Sequence, residues 1–134
     1  MKPLPEYRVW DKEEEIMLSV AVMDYVVGFV FTLGSYDRKD GTEKTGDIMQ
    51  NYEIMQSTGM KDKAGKTIWD GDLVKVFNIS DPVVVEWLDC AFGFWNPPNS
   101  LEATFEVLME YTGPDGYEVI GNIYENPELT KGEQ

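Results

Sequence analysis

The chain has 134 residues and a formal net charge of −14, because 25 Asp and Glu residues stand against 11 Lys and Arg residues. Such acidity excludes binding of nucleic acid through a basic face and disfavours an anionic membrane surface, since both carry negative charge. Apolar residues make up 43% of the chain and aromatic residues 13%, which excludes a disordered polymer. The acidity itself leaves two interpretations open: a well-solvated surface, or a basic protein partner toward which the chain mimics a nucleic acid.

The first half of the chain has the composition of β-strands. Alternation from Tyr7 to Trp10 predicts a short strand. The apolar runs Ile16–Met23 and Tyr25–Leu33 contain many β-branched residues and predict two longer strands, with Gly28 marking a bulge or a close approach of the backbone. We also expect these runs to be too interrupted by polar residues to span a membrane, and we expect no signal peptide.

Two further segments complete this half. The polar stretch Gly34–Gly46 begins and ends with glycine and predicts either a mobile loop or an extended hairpin tip. Ile48–Gln56 returns to a strand pattern. Residues 1–56 are therefore predicted to form an N-terminal β-subdomain.

The middle of the chain alternates turn residues with short strands. Asp62–Gly65 and Asp70–Asp72 have the turn chemistry of aspartate next to glycine. The strand patterns Leu73–Phe77, Val83–Leu88 and Phe92–Trp95 follow, each after a break. This spacing is typical of the meander of an SH3-like barrel. We predict that barrel over residues 68–124, within a C-terminal subdomain of residues 57–134, with Gln56–Thr67 as a hinge.

The segment after the third of these strands has two interpretations. Apolar residues at helical spacing, with Asn99 and Glu102 resembling a capping box, predict one short helix near residues 99–111. The alternation of Thr104–Val107 instead indicates a strand. Tyr117–Tyr124 predicts a closing strand, and the polar tail from Glu125 is expected to lie on the surface.

Few residue types in the chain are suited to catalysis or to metal binding. There is no histidine, which excludes catalytic triads that need this base. We predict no catalytic residue, no metal site and no cofactor, and hence no enzyme. Asp62, Asp70 and Asp72 have oxygen ligands suited to Mg²⁺ or Ca²⁺, but turn stabilisation is the alternative interpretation of the same residues.

Cys90 is the only cysteine, so the chain cannot form an internal disulfide. This favours a reducing, cytoplasmic compartment. The apolar neighbours Leu88, Ala91 and Phe92 predict that the thiol is buried.

Aromatic residues form the only constellation that suggests a function. SH3-like barrels often bind peptides over exposed aromatic side chains, although aromatic residues also fill small cores. Glu86 is expected to face solvent, and its neighbours Val85 and Trp87 to face the core. The candidate interaction surface consists of Trp69, Asp70, Asp72, Trp87, Phe94 and Trp95.

Four motifs resemble the YopX family of small proteins encoded mainly by bacterial phages and prophages. They are R-V-W-D-K at 8–12, M-Q-S-T-G-M-K-D-K-A-G-K at 55–66, W-D-G-D-L-V at 69–74 and E-V-I-G-N-I-Y-E-N-P-E-L at 118–129. The family usually has Tyr or Phe in place of Trp69 and Glu in place of Asp70, and both changes keep the chemistry. Its segment corresponding to 96–116 varies, so nothing is transferred there.

The resemblance implies an all-β protein with an N-terminal β-subdomain and a C-terminal SH3-like barrel, and it brings no activity or cofactor with it. The glycines of the motifs are then turn residues, and Asn122 is expected to bond the backbone at a bend. We therefore expect a non-enzymatic phage accessory protein in the cytoplasm of a bacterial host. It would act through protein–protein contact, including contact with further copies of itself, and without direct nucleic-acid or membrane binding. The alternatives are the acidic nucleic-acid mimic and a metal-assisted hydrolase built on the three aspartates.

Overall fold

The structure is a computed structural model that describes residues 6–98, 100–108 and 116–130. These residues form twelve β-strands and two short 3-10 turns, at Met49–Asn51 and Pro127–Thr130. The predicted mainly β class is confirmed. The strands are β1 Tyr7–Asp11, β2 Ile16–Asp24, β3 Phe29–Asp37, β4 Glu43–Ile48, β5 Tyr52–Lys61, β6 Thr67–Trp69, β7 Asp72–Val76, β8 Val83–Val84, β9 Glu86–Leu88, β10 Ala91–Asn96, β11 Thr104–Val107 and β12 Tyr117–Asn122. Within the described ranges, no helix has both the length and the apolar character needed to cross a membrane.

The chain divides into two compact units, residues 1–56 and residues 57–134. In the first unit the strands are antiparallel and lie in the order β4-β3-β2-β1-β5. Val9, Val30 and Tyr52 form the centre of its core. Alternation decides which side chains are buried, since successive residues of a strand point to opposite faces: in β3, Val30 is buried and Phe31 is exposed.

The connection between β2 and β3 is a tight turn. The N–H of Gly28 donates to the carbonyl oxygen of Asp24 at 2.9 Å, and Gly28 has a φ of 71°. The Asp24 carboxylate accepts the N–H groups of Val26 and Val27 at 3.0 and 3.3 Å. The bulge predicted at Gly28 is therefore wrong, because Asp24 satisfies the turn's donors and glycine accepts the positive φ.

The polar stretch of residues 34–46 forms an extended hairpin. β3 continues to Asp37 and β4 starts at Glu43. The turn between them is closed by the N–H of Arg38, which donates to the carbonyl oxygen of Thr42 at 2.7 Å. The structure thus selects the hairpin over the loop.

Strand β5 runs across the boundary between the units. Its residues from Tyr52 to Gln56 pair with β1, while Ser57 and Lys61 pair with β6. The first part of the segment predicted as a hinge, Gln56–Thr67, is extended strand as far as Lys61, and the hinge stays a prediction.

The second unit contains two antiparallel sheets of three strands each, in the orders β12-β7-β8 and β11-β10-β9. The segment from Val83 to Leu88 serves both sheets. Its first part pairs with β7, its last part pairs with β10, and between them Val85 donates its N–H to the carbonyl oxygen of Asp72 at 2.9 Å. The predicted SH3-like barrel is corrected here: the described strands pair as two separate sheets of three strands and do not form a closed barrel.

The core of this unit lies between its sheets. It consists of buried Ile68, Val74, Val76, Val83, Val85, Phe94, Leu108 and Tyr117. The helix predicted near residues 99–111 is wrong at Thr104–Val107, which is strand β11 and pairs with β10. Cross-strand pairing outweighs the helical spacing there. Residue 99 and residues 109–111 lie outside the described residues.

Candidate functional site

The structure divides the predicted interaction surface into buried and exposed residues. Phe94 is fully buried, with its ring edge-on to that of Tyr117 at a centroid distance of 6.5 Å. Asp72 is also buried, and its Oδ2 accepts the N–H of Trp69 at 2.8 Å. These residues hold the core and the turn before β7. Trp87 and Trp95, in contrast, are 54% and 39% exposed.

Trp87 is the most exposed of the predicted aromatic residues. It lies on β9 directly opposite Phe92, and the two rings meet edge-on at 4.7 Å. Glu86 is exposed and Val85 is fully buried, as expected. Trp87 was expected to face the core, and it lies on the same face as buried Phe94, because its partner Phe92 is two residues from Phe94 on β10. It is nevertheless 54% exposed, so the expectation that it is part of the core was wrong.

Cys90 lies beside Trp87 in the two-residue turn between β9 and β10. Both turn residues, Asp89 and Cys90, have positive φ, of 51° and 67°. A hairpin turn of this form keeps the twist of the flanking strands and directs its side chains outward. The thiol is exposed, so the predicted burial was wrong.

Trp95 lies on the other face of the same sheet, because Phe92 and Trp95 differ in position by an odd number along β10. Its ring packs edge-on against Phe105, its partner on β11, at 5.2 Å. Phe105 also covers Gly93: a Cβ atom at Gly93 would clash with the carbonyl oxygen of Glu106 and lie 2.6 Å from Phe105 Cε2. Glycine is therefore required for this close packing.

Two depressions border Trp87, and a third adjoins one of them. The first, of about 220 Å³, is mostly apolar. The second, of about 390 Å³, also borders Trp87, and the third, of about 350 Å³, shares Val84 and Glu86 with the second. We refer to the three together as the Trp87 groove, which is lined by Thr58, Met60, Asp70, Gly71, Val84, Val85, Glu86, Trp87, Cys90, Ala91, Phe92, Trp95, Pro98, Ser100, Leu101, Val107, Leu108, Ile123 and Tyr124.

The charged side chains that line the groove are negative. Asp70 and Glu86 line the second depression together with Trp87. Among the described lining residues there is no lysine or arginine. The groove therefore offers an exposed indole, an apolar pocket and carboxylates side by side. Asp70 and Trp87 of the predicted surface line the second depression together, Trp95 lines the third on the other face of the sheet, and Asp72 and Phe94 lie in the interior.

Asp62 has the structural role of a turn residue. Its Oδ1 accepts the N–H groups of Ala64 and Lys66, and its Oδ2 accepts the N–H of Val119, all at 2.9 Å. Burial raises the pKa of Asp62, but these bonds to the carboxylate outweigh it and leave the pKa below 3.8. Turn stabilisation is thus confirmed, and Asp62 also ties the turn to β12.

The three aspartates of the hydrolase alternative do not form a metal site. In the part of the chain that the structure describes, no group of three acidic or cysteine side chains is arranged to hold a metal ion. Asn122 also acts on the backbone, as the resemblance implied: its Oδ1 accepts the N–H groups of Tyr124 and Glu125 at 3.0 and 2.8 Å.

A buried ionic network in the first unit was missed by the sequence reasoning. Lys44 Nζ lies 2.9 Å from Asp11 Oδ2 and 2.7 Å from Asp47 Oδ2. The side chains of Lys44 and Asp11 are 3% and 0% exposed. Tyr36 donates its hydroxyl to Asp11 Oδ2 at 2.7 Å and must therefore accept from Tyr52, whose hydroxyl is also 2.7 Å away.

The electrostatics of the network favour its charged state. Burial lowers the pKa of Lys44, but the hydrogen bonds to Asp11 and Asp47 outweigh it and raise the pKa above 10.5. Burial raises the pKa of Asp11, while the bonds from Lys44, from the backbone N–H of Glu14 and from Tyr36 lower it below 3.8. The ammonium group therefore stays protonated, which makes it a structural cation and a poor nucleophile. Asp11 and Lys44 are 33 positions apart, and no pattern in the sequence indicates that they form a pair.

The β2–β3 turn is a second exposed apolar feature. Tyr25, Val26 and Val27 are 70%, 95% and 69% exposed. All three residues belong to the strand that was predicted at Tyr25–Leu33. In the structure they lie in the turn between β2 and β3, which exposes their side chains.

The comparisons with known proteins identify relatives along nearly the whole chain. The family model described as YopX protein matches residues 6–131. Among solved structures, protein EF1440 from Enterococcus faecalis has 30% sequence identity and a TM-score of 0.65, over 97% of this chain and 100% of that one. Protein yopX from Bacillus subtilis has 24% identity and a TM-score of 0.57, over 94% of this chain and 98% of that one, and it supports the fold alone. A search of curated proteins found no match.

Proposed function

Since the chain belongs to the YopX family, we propose that it is a non-enzymatic accessory protein of a bacterial phage or prophage that binds another protein through the Trp87 groove. The observation that carries this proposal is the exposure of Trp87 beside an apolar pocket of about 220 Å³. Binding pockets for small molecules usually measure about 300–1,000 Å³. The pocket beside Trp87 is smaller and has the size of one anchoring side chain.

Physical chemistry supports a contact role for this surface. Tryptophan is enriched among the residues that dominate binding energy at protein interfaces. Trp87 is held in place by the edge-on contact with Phe92, so little conformational entropy remains to be lost on binding. The apolar pocket reaches Met60, Phe92 and Leu108, which belong to or pack against the core, so its floor is rigid.

The proposed compartment is the cytoplasm of the bacterial host. An exposed, single thiol such as that of Cys90 is compatible with a reducing environment and would be oxidised or cross-linked outside it.

The test is a peptide-display selection on the full chain. Peptides with an apolar anchor residue should be enriched, and Trp87→Ala should weaken them at least thirtyfold, as expected for a residue worth roughly 2 kcal/mol. Alkylation of Cys90 with a bulky maleimide should also block them, because this residue borders the pocket.

The matched control is Tyr25→Ala, which removes a more exposed aromatic side chain outside the groove. Thermal unfolding of each variant shows whether it is folded. Selected peptides that bind Trp87→Ala as tightly as wild type would refute the site. Turnover of a phosphoester, peptide or glycoside substrate in proportion to purified protein would refute the non-enzymatic role.

A further inference from the structure

We propose that the Trp87 groove selects an extended protein segment in which an apolar anchor residue is flanked by arginine or lysine. This inference rests on the proposed function and names the chemistry of the partner. It follows from the juxtaposition of an apolar pocket and two carboxylates, since one exposed indole lines both depressions.

The apolar pocket beside Trp87 accommodates the anchor residue of the segment. The pocket of about 220 Å³ is lined by Met60, Phe92 and Leu108 together with other mostly apolar side chains. Such a lining stabilises an aliphatic or aromatic side chain by roughly 1.5–3 kcal/mol on full burial. A charged side chain placed there would lose its hydration without gaining a partner.

The depression next to the pocket accommodates the basic residues on either side of the anchor. Trp87 forms a wall shared by the apolar pocket and the neighbouring depression of about 390 Å³, which Asp70 and Glu86 also line. In an extended peptide successive side chains point to opposite faces, so the residues two positions before and after the anchor share its face and lie about 6.6 Å away along the chain, within reach of that depression. A guanidinium group there meets carboxylates and can stack on the indole, which attracts cations.

The negative charge of the groove and of the whole chain favours a basic partner over an acidic one. The described lining residues include Asp70 and Glu86 but no cation, and the whole chain carries a net charge of −14. An acidic partner is therefore repelled at the groove and at a distance, whereas a basic segment is attracted in both places. A second copy of this acidic chain fits the groove poorly for the same reason.

The experiment uses three seven-residue peptides with a central leucine and, two positions before and two positions after it, two arginines, two glutamines or two glutamates. Binding to the full chain is measured by NMR titration at low and high salt. The arginine peptide should bind about tenfold more tightly than the glutamine peptide at low salt, and this preference should shrink at high salt. The glutamate peptide should bind most weakly.

The variants assign the effect to particular carboxylates. Glu86→Gln and Asp70→Asn should each weaken the arginine peptide by about two- to fivefold, the range of a partly solvated ion pair. Glu118→Gln is the matched control, since it removes one negative charge from a half-exposed residue outside the groove, and it should change the affinity less than 1.5-fold.

Three results would overturn the inference: no saturable binding of the arginine peptide, equal or tighter binding of the glutamine peptide, or an equal loss in Glu118→Gln. The display selection separates this failure from failure of the proposed function. Selected peptides that depend on Trp87 but lack basic residues overturn the basic preference alone, whereas the absence of any dependence on Trp87 overturns both.

Discussion

Replacing Lys44 by methionine should strongly destabilise the first unit, because it leaves the buried Asp11 carboxylate without its cation. At a separation of 2.9 Å and an effective dielectric constant of 20, two unit charges attract by about 6 kcal/mol. The dehydration of both ions offsets much of this attraction. Breaking a buried pair on one side nevertheless costs about 3–5 kcal/mol, which is a large part of the roughly 5–15 kcal/mol that holds a domain folded.

The assay is urea unfolding followed by tryptophan fluorescence. In a background with Trp69, Trp87 and Trp95 replaced by phenylalanine, the remaining indole is Trp10, which lies on β1 next to Asp11. Its signal then reports the free energy of unfolding of the first unit.

The control is Lys12→Met, which breaks an exposed pair in the same unit. Lys12 lies 3.3 Å from Glu53, and the two side chains are 48% and 45% exposed. Pairs of this kind contribute at most about 1 kcal/mol. A loss in Lys44→Met below about 1 kcal/mol, or equal to that in Lys12→Met, would refute the reasoning.

A second variant isolates the unpaired charge. Combining Lys44→Met with Asp11→Asn should recover part of the lost stability, because the amide is neutral and its oxygen still accepts the N–H groups of Glu13 and Glu14, which Asp11 Oδ1 binds at 3.0 Å. The two changes should therefore be non-additive by about 1–3 kcal/mol. Additive losses would show that the two groups do not interact.

The remaining predictions concern pH, a turn, a close contact and the thiol. Since Asp11 and Asp62 have folded pKa values below 3.8, their stabilisation is present above that pH and is lost as the pH falls through the folded values. The urea concentration at the unfolding midpoint should therefore decrease when the pH is lowered below about 4. A midpoint that stays constant from pH 6 to pH 2 would contradict the prediction. Asp62→Asn should cost about 1–3 kcal/mol of unfolding free energy, because one of the three N–H groups that donate to the Asp62 carboxylate loses its acceptor. An unchanged urea midpoint would argue against this role. Gly93→Ala should cost about 1–3 kcal/mol, because the new methyl group meets Phe105, and calorimetry showing no fall in Tm would exclude that packing. Cys90 should react with a thiol reagent in the native protein at about the rate of the unfolded chain, whereas strong protection would contradict its exposure.

Several local features were predictable because they depend on neighbouring residues alone. The turn at Asp62 forms through backbone groups within four residues of its side chain, and the strands alternate as their residue types indicate. The candidate surface was predictable only in part. Trp87 and Phe94 are aromatic strand residues on the same face of their sheet, yet one is half exposed and the other fully buried. The alternation of the strands alone does not distinguish them.

The sequence by itself determined the strand content, the turn positions and the acidity, because these follow from residue type and short-range spacing. Only the tertiary structure decided the pairing of Lys44 with Asp11 and the two depressions that border Trp87. Each of these depends on which distant strands become neighbours. Side chains far apart in sequence can be joined in many ways, and only the packing of the whole unit selects one of them.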